Sequence, residues 1–435
     1  MSDATTDRGD TPGHTGPRRS FFSQLELDLR LLGMVGAFIL ICLLFNVMTG
    51  GQFITPRNIF NLTIQTVSVA IMATGMVFII VTRHIDLAVG ALLATCSAVM
   101  AMTQTSWAVD LLGLPLGHPM LAVIAIVAGL VVGAAIGGFQ GFIVGYLGVP
   151  SFIVTLGGLL VWRNVAWYLT NGQTIGPLNE TFQLFGGING TLGSTMSWVV
   201  GLIAAAAAIL AVVSARRAKL RHDFPVKPIW AEILTGAIFV VAILGFIAIL
   251  NAYEIPVRVL ERNFAAQGIE MPEGYSAAYG LPISVLLLIG VAIAMTVIAR
   301  KTRFGRYIFA TGGNPDAAEL SGINTRKLTV KVFALMGMLV AIAAMVASAR
   351  LTFHSNDIGT LDELRVIAAA VIGGTALAGG VGTIYGAILG ALIMQSLQSG
   401  MAMVGVDAPL QNIVVGTVLV LAVLIDIIYR RRVEG

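Results

Sequence analysis

The chain has 435 residues, 57% of them hydrophobic and 11% charged, with a net charge of +4. Soluble domains carry about 25% charged residues, so this composition excludes a water-soluble body, and the basic residues sit in short loops beside apolar runs rather than on a nucleic-acid-binding face. Cys42 and Cys96 lie inside apolar runs, which speaks against a disulfide framework or a metal site.

Residues 1–30 read as a cytoplasmic tail, disordered at its start: residues 1–20 are polar, rich in Gly, Thr, Asp and Pro, and lack the apolar core of a secretory signal. Beyond them, runs long enough to cross about 30 Å of hydrocarbon recur almost to the end. They fall at 31–48, 62–81, 87–104, 120–146, 152–170, 197–214, 229–250, 280–299, 329–349, 364–379, 383–404 and 410–429, with a short tail at 431–435. The expected fold is an all-α polytopic membrane protein, with one transmembrane domain over 31–430 built from about 12 transmembrane or part-spanning helices. The run at 364–379 is short and glycine-rich, so with 383–404 it makes either two full spans or a broken, re-entrant pair buried within protein.

Basic residues orient the chain. Arg18, Arg19 and Arg30 precede the first span, and Arg216, Arg217, Lys219, Arg221 and Lys227 follow the sixth. Arg300, Lys301, Arg303, Arg306, Arg326 and Lys327 follow the eighth, and Arg430, Arg431 and Arg432 follow the last. All fall on one side of a twelve-span topology, opposite Glu254, Glu261, Glu270 and Glu273, which predicts that both termini are cytoplasmic.

Fifty glycines concentrate in the spans, and Gly133 with Gly137, and Gly382 with Gly386 and Gly390, have the spacing that lets membrane helices approach closely. No GxxxxGK[ST] segment occurs, and the glycines of 379–386 fail the dinucleotide-binding spacing, so any ATP hydrolysis belongs to another polypeptide.

Four segments carry chemistry. Thr82–Gly90 holds Asp86, a carboxylate at the edge of two spans that needs a partner. Arg83 or the amides opening the third span could supply one, and Asp86 is then either a structural cap or a transport group. Val149–Gly158 starts a helix at Pro150, and Arg163 follows inside an apolar stretch where it must pair or face an aqueous path. The loop 300–328 contains a compact helix with Asn314 as cap, Pro315 at the first position, Asp316 and Glu319 near the positive end, and Gly322 as terminator. Such a helix fits an ordinary hairpin or an element that docks into a partner's cleft. Ala368–Thr383 is the glycine-rich segment.

These motifs resemble the ribose and xylose type of ABC-transporter permease. Gly312, Asn314, Ala317, Ala318, Ser321, Gly322 and Ile323 fill every fixed position of its G-x-N-x-x-A-A-x-x-S-G-I signature. Pro150–Gly157 is similar to its P-x-F-I-x-T-L-G element, and Ala369–Gly382 to A-A-V-I-G-G-T-S-L-x-G-G-x-G, with Ala376 in place of Ser. Ribose-type members carry Gly-Gly where this chain has Arg83-His84; that replacement, with the extra basic loop and span pair near 215–280, resembles the xylose branch.

The resemblance implies an ABC importer permease fold and no enzymatic chemistry in this chain. It implies ATP-driven sugar import through the bacterial inner membrane, with xylose first. The coupling segment facing a cytoplasmic ATPase subunit would comprise Gly312, Gly313, Asn314, Ala317, Ala318, Glu319, Ser321, Gly322 and Ile323. ATP and Mg would be bound by that partner, leaving no cofactor here. A periplasmic sugar-binding protein would deliver the sugar to a permease homodimer in the lipid bilayer. Candidates for the translocation path are Asp86, Arg163, Asn164, Asn171, Gln173, Gly373, Gly374, Thr375 and Gln395, with Trp162, Trp167 and His354 as weaker hydroxyl or ring partners. The rival is a proton-coupled sugar symporter, which needs an intramembrane carboxylate. Apart from Asp86, the acids lie mostly in loops or at span ends, Asp426 included.

Overall fold

The computed structural model describes residues 29–434 except 225 and 267. Residues 1–28 of the tail expected over 1–30, with Arg18 and Arg19, the terminal Gly435, and the side chains of Arg30, Asp426 and Arg430–Arg432 lie outside the described residues.

The helices of six or more residues in chain order are α1 (Leu29–Met48), α2 (Pro56–Val81), α3 (Val89–Leu112), α4 (Pro119–Gly145), α5 (Ser151–Thr170), α6 (Gly193–Arg221), α7 (Ile229–Asn251) and α8 (Val257–Ala266). There follow α9 (Ile283–Lys301), α10 (Arg303–Gly313), α11 (Pro315–Leu320), α12 (Thr325–Leu351), α13 (Asp362–Ile372), α14 (Ile384–Met403) and α15 (Ala408–Glu434). Among the described residues, extended pairing is limited to isolated bridges such as Ile175 with His354.

Their boundaries follow local chemistry. Thr55 caps α2 ahead of Pro56, His118 caps α4 ahead of Pro119, and α5 ends where Asn171 turns left-handed at φ 51°. Among the described residues, ten helices are long and apolar enough to cross a membrane, α1 to α7 with α9, α12 and α14, and the apolar part of α15 covers Ala408–Leu424. Each matches one predicted span. The run at 364–379 is the exception: α13 has only 11 residues, turns out of helix at Gly373, and continues as irregular chain to Thr383. The open choice at 364–404 therefore resolves to a broken element beside one full helix. The last helix also continues through 431–434, the residues read as a tail.

α2, α3 and α12 are buried on almost every side, while α1, α5, α6, α7 and α9 turn large apolar side chains outward, as a lipid-facing shell requires. Glycine sets the closest approach in the centre. A methyl on Gly133 would strike the Gly337 carbonyl, and one on Gly137 the Phe333 carbonyl, so α4 and α12 meet backbone to backbone. α13 and α14 pack the same way: added methyls on Gly386 and Gly390 would meet the carbonyls of Gly373 and Ala369. Outside this centre, α6 and α7 form a hairpin tied by Arg216 to Glu232 at 2.6 Å.

Candidate functional site

Two regions concentrate polar chemistry: a hairpin at one rim, and a cavity among the buried helices.

The hairpin is α10 with α11. The Thr302 hydroxyl accepts from the Gly305 N–H at 3.1 Å and starts α10. Asn314 ends α10 and starts α11, its Oδ1 accepting from the Ala317 N–H at 3.0 Å while Pro315 fills the first helical position. At the far end Gly322 stands at φ 87°, its N–H donating to Glu319 O at 2.9 Å and the Ile323 N–H to Ala318 O at 3.1 Å. That pair of crossed bonds closes a helix C-terminus and needs a residue free to turn left-handed. Ser321 Oγ donates to the carbonyls of Ala317 and Ala318, both at 2.9 Å, and Asn324 Oδ1 caps α12 by accepting from the Lys327 N–H at 2.8 Å. Asn314, Ser321, Gly322 and Ile323 thus hold the hairpin's shape. Ala318 is buried beneath it, whereas Ala317, Glu319 and Leu320 face outward, Leu320 with 90% of its surface exposed.

Behind the hairpin three segments meet. Gly312 is buried, and a methyl there would strike the Val81 carbonyl and crowd the Gly380 amide. The Gly380 N–H donates to Val81 O at 3.0 Å, joining the end of α2 to the irregular chain after α13. Arg83 completes the junction, its Nε donating to Gly312 O and its Nη2 to Gly313 O, both at 2.8 Å. These carbonyls belong to the last turn of α10, where no helical N–H reaches them. Arg83 does this from φ 64°, a left-handed conformation that costs a non-glycine residue about 1–2 kcal/mol.

The cavity has a volume of about 460 Å³, within the usual range for small-molecule sites, and is mainly polar. α2 contributes Gln65 and Ser68, α12 Arg350, the turn before α13 Asp357 and Thr360, α13 Asp362 and Arg365, and α14 Gln395 and Gln398. Gln395 Nε2 donates to Gln65 Oε1 at 3.0 Å, and Arg365 pairs with Asp362 at 3.0 Å one turn apart on α13. Three amides, the hydroxyls of Ser68 and Thr360, and two arginines balanced by two aspartates, beside the aliphatic Val69, Ala347, Leu351 and Ile358, suit a neutral ligand rich in hydroxyl groups.

Of the path residues expected from sequence, Gln395 lines this cavity. Arg163 acts one layer behind it, Nη1 donating to the carbonyls of Asn356 at 2.9 Å and Ile358 at 2.7 Å and so fixing the turn that carries Asp357 and Thr360. Asn164 is exposed and bonds its own helix at Leu160 O, Asn171 serves as the left-handed end of α5, and Gln173 is exposed beside it. Gly373, Gly374 and Thr375 form the turn that ends α13, packed on α14, with the Thr375 hydroxyl buried and without a partner. Trp162 is partly buried and Trp167 half-exposed, and neither lines the cavity. His354 is fully buried with Nδ1 at 2.9 Å from Ser97 Oγ, and burial pushes its imidazole down to about 4, so it stays neutral.

Asp86 is buried in the α2–α3 connection, its Oδ1 accepting from the Ala88 N–H at 2.9 Å. Burial pushes its carboxyl up to about 7 against the pull of that amide. Arg83, offered above as its partner, is engaged with Gly312 and Gly313 instead. Sequence reasoning passed over Gln65, Arg350, Asp362, Arg365, Gln398 and Leu320. The two arginines and Asp362 border apolar runs and could have been flagged as charges that need compensation there.

The family model described as "Branched-chain amino acid transport system / permease component" matches residues 58–220 and 226–423, most of the chain. This chain belongs to that permease family. The permease is 38% identical over 405 residues to the xylose transport system permease protein XylH of Haemophilus influenzae, covering 93% of this chain and 98% of the relative. It is 37% identical over 423 residues to XylH of Escherichia coli, covering 96% of each. The ribose import permease protein RbsC of Escherichia coli is 33% identical over 379 residues, covering 86% of this permease and 87% of RbsC. No solved structure matches. The permease is accordingly a multi-pass transporter subunit rather than an enzyme, and the importer family takes the place of the symporter alternative.

Proposed function

We propose that this permease is the membrane subunit of an ATP-driven xylose importer, passing sugar from a periplasmic binding protein through the bacterial inner membrane. The observation that carries the substrate is the agreement with two xylose permeases over more than nine-tenths of the chain, at 37–38% identity against 33% for the ribose permease. The cavity between α2, α12, α13 and α14 supplies the path, its amides and hydroxyls exchanging hydrogen bonds with sugar hydroxyls. The hairpin α10–α11 docks into an ATPase subunit that binds ATP and Mg. Two copies of the permease work together, as one copy per ATPase of a pair.

Both termini face the cytoplasm in this reading. α6 and α9 begin side by side, the Leu192 N–H donating to Leu281 O at 3.0 Å, so the basic last turns holding Lys219 with Arg221, and Arg300 with Lys301, reach the same opposite rim as the hairpin. Alternating access then requires each partner to bind two permease states with different affinity.

The test is uptake of labelled xylose in a strain stripped of its own xylose systems, with ribose, arabinose and galactose as competitors. Xylose uptake abolished by ATP depletion, and outcompeted best by unlabelled xylose, is the expected result. Preference for ribose would remove the substrate assignment, and uptake that survives ATP depletion but collapses with the proton gradient would remove the importer reading.

A further inference from the structure

We propose that Arg83 is a positioning residue that transmits movement of the α10–α11 hairpin to the end of α2 and to the glycine-rich chain after α13. The inference rests on the reading of that hairpin as the ATPase dock.

The geometry has three parts. Arg83 reaches across 229 and 230 residues to the Gly312 and Gly313 carbonyls, so the bonds join separate segments rather than cap a helix from within. Its two donors, Nε and Nη2, address consecutive carbonyls, which fixes direction as well as distance. The same point holds the Gly380 N–H on Val81 O, and a methyl on Gly379 would meet the Arg83 side chain, Gly312 O and Val81 O together. Displacement of α10 therefore pulls on α2 and, through the segment leading into it, on α14, two of the elements that line the cavity.

The backbone supplies an independent argument. Arg83 occupies a left-handed conformation at φ 64°, where glycine sits freely and an L side chain is strained. An arginine in such a place, holding two consecutive carbonyls of one partner segment through Nε and Nη2, is there for the side chain. This also means that Arg83→Gly relieves strain while cutting the link, so the variant folds.

The experiment uses the complete importer, permease with ATPase and binding protein, in proteoliposomes. Labelled xylose imported and ATP hydrolysed are measured together for wild type, Arg83→Gly and Arg83→Lys, alongside thermal stability and ATPase co-purification. The expected result for Arg83→Gly is unchanged stability, a retained ATPase, and sugar moved per ATP reduced about fivefold or more. Arg83→Lys, able to reach one carbonyl, restores part of that ratio. An unchanged ratio in Arg83→Gly, whether both rates hold or both fall in proportion, overturns the proposal. Leu320→Asp tests the underlying reading separately. ATPase that stays bound to Leu320→Asp overturns the dock and the proposal with it, whereas ATPase lost there but an unchanged ratio in Arg83→Gly overturns the role of Arg83 alone.

Discussion

Asp86 occupies a position where water would normally be needed, and its one structural bond is to the Ala88 amide. Burial lifts its carboxyl to about 7, above the unfolded value near 4. A group whose folded pKa is raised contributes stability that is fully present below the unfolded value and is lost as pH rises through the folded one. The purified permease should therefore lose a few degrees of Tm between about pH 5 and about pH 8 relative to Asp86→Asn, which keeps an acceptor for Ala88 and cannot ionise. Parallel melting curves for the two proteins, or xylose uptake abolished in Asp86→Asn, would contradict a capping role. The need of Asp86 for a partner was readable from its place at the end of an apolar run. Its choice of Ala88 over Arg83 was not, because the competing carbonyls of Gly312 and Gly313 lie far away in sequence.

Among the elements, helices and caps were readable where the controlling hydrogen bonds are local. Asn314, Pro315 and Gly322 declare their roles within a few residues of themselves, and the structure places them as cap, first helical residue and terminator. The break in α13 was only half readable. The glycines of 373–382 signal irregular backbone, but where helix stops depends on Gly373 meeting Gly386 across the packing interface. Glycine spacing likewise has different consequences in different faces. Gly137→Ala sets a methyl against the Phe333 carbonyl and should cost about 1–3 kcal/mol, lowering Tm and the yield of monodisperse protein. Gly290→Ala on α9 meets nothing within 4 Å and should be neutral or slightly stabilising in the same assay. Equal behaviour of the two variants would show that the α4–α12 approach is looser than described.

At the scale of the molecule, the membrane class follows from composition, but the cavity does not. Its walls come from α2, α12, α13, α14 and the turn before α13, and the Gln65–Gln395 pair joins residues 330 positions apart. No local pattern marks a glutamine whose partner is another glutamine. Gln395→Leu removes that bond and one polar wall, and should lower xylose transport by about tenfold while leaving membrane insertion and thermal stability near wild type. Unimpaired transport in this variant would take the cavity out of the sugar's route.

The contact of α4 with α12 has a mechanical meaning. Where two helices touch through bare backbone there are no rotamers to switch and no side-chain layer to ratchet, so this pair is expected to hold still while α10, α13 and α14 move. A Cβ at position 138 would lie 3.7 Å from Ala334 Cβ, within disulfide range. Gly138→Cys with Ala334→Cys should therefore lock the seam under oxidation and leave xylose transport running, whereas a stalled transporter would place the seam among its moving parts.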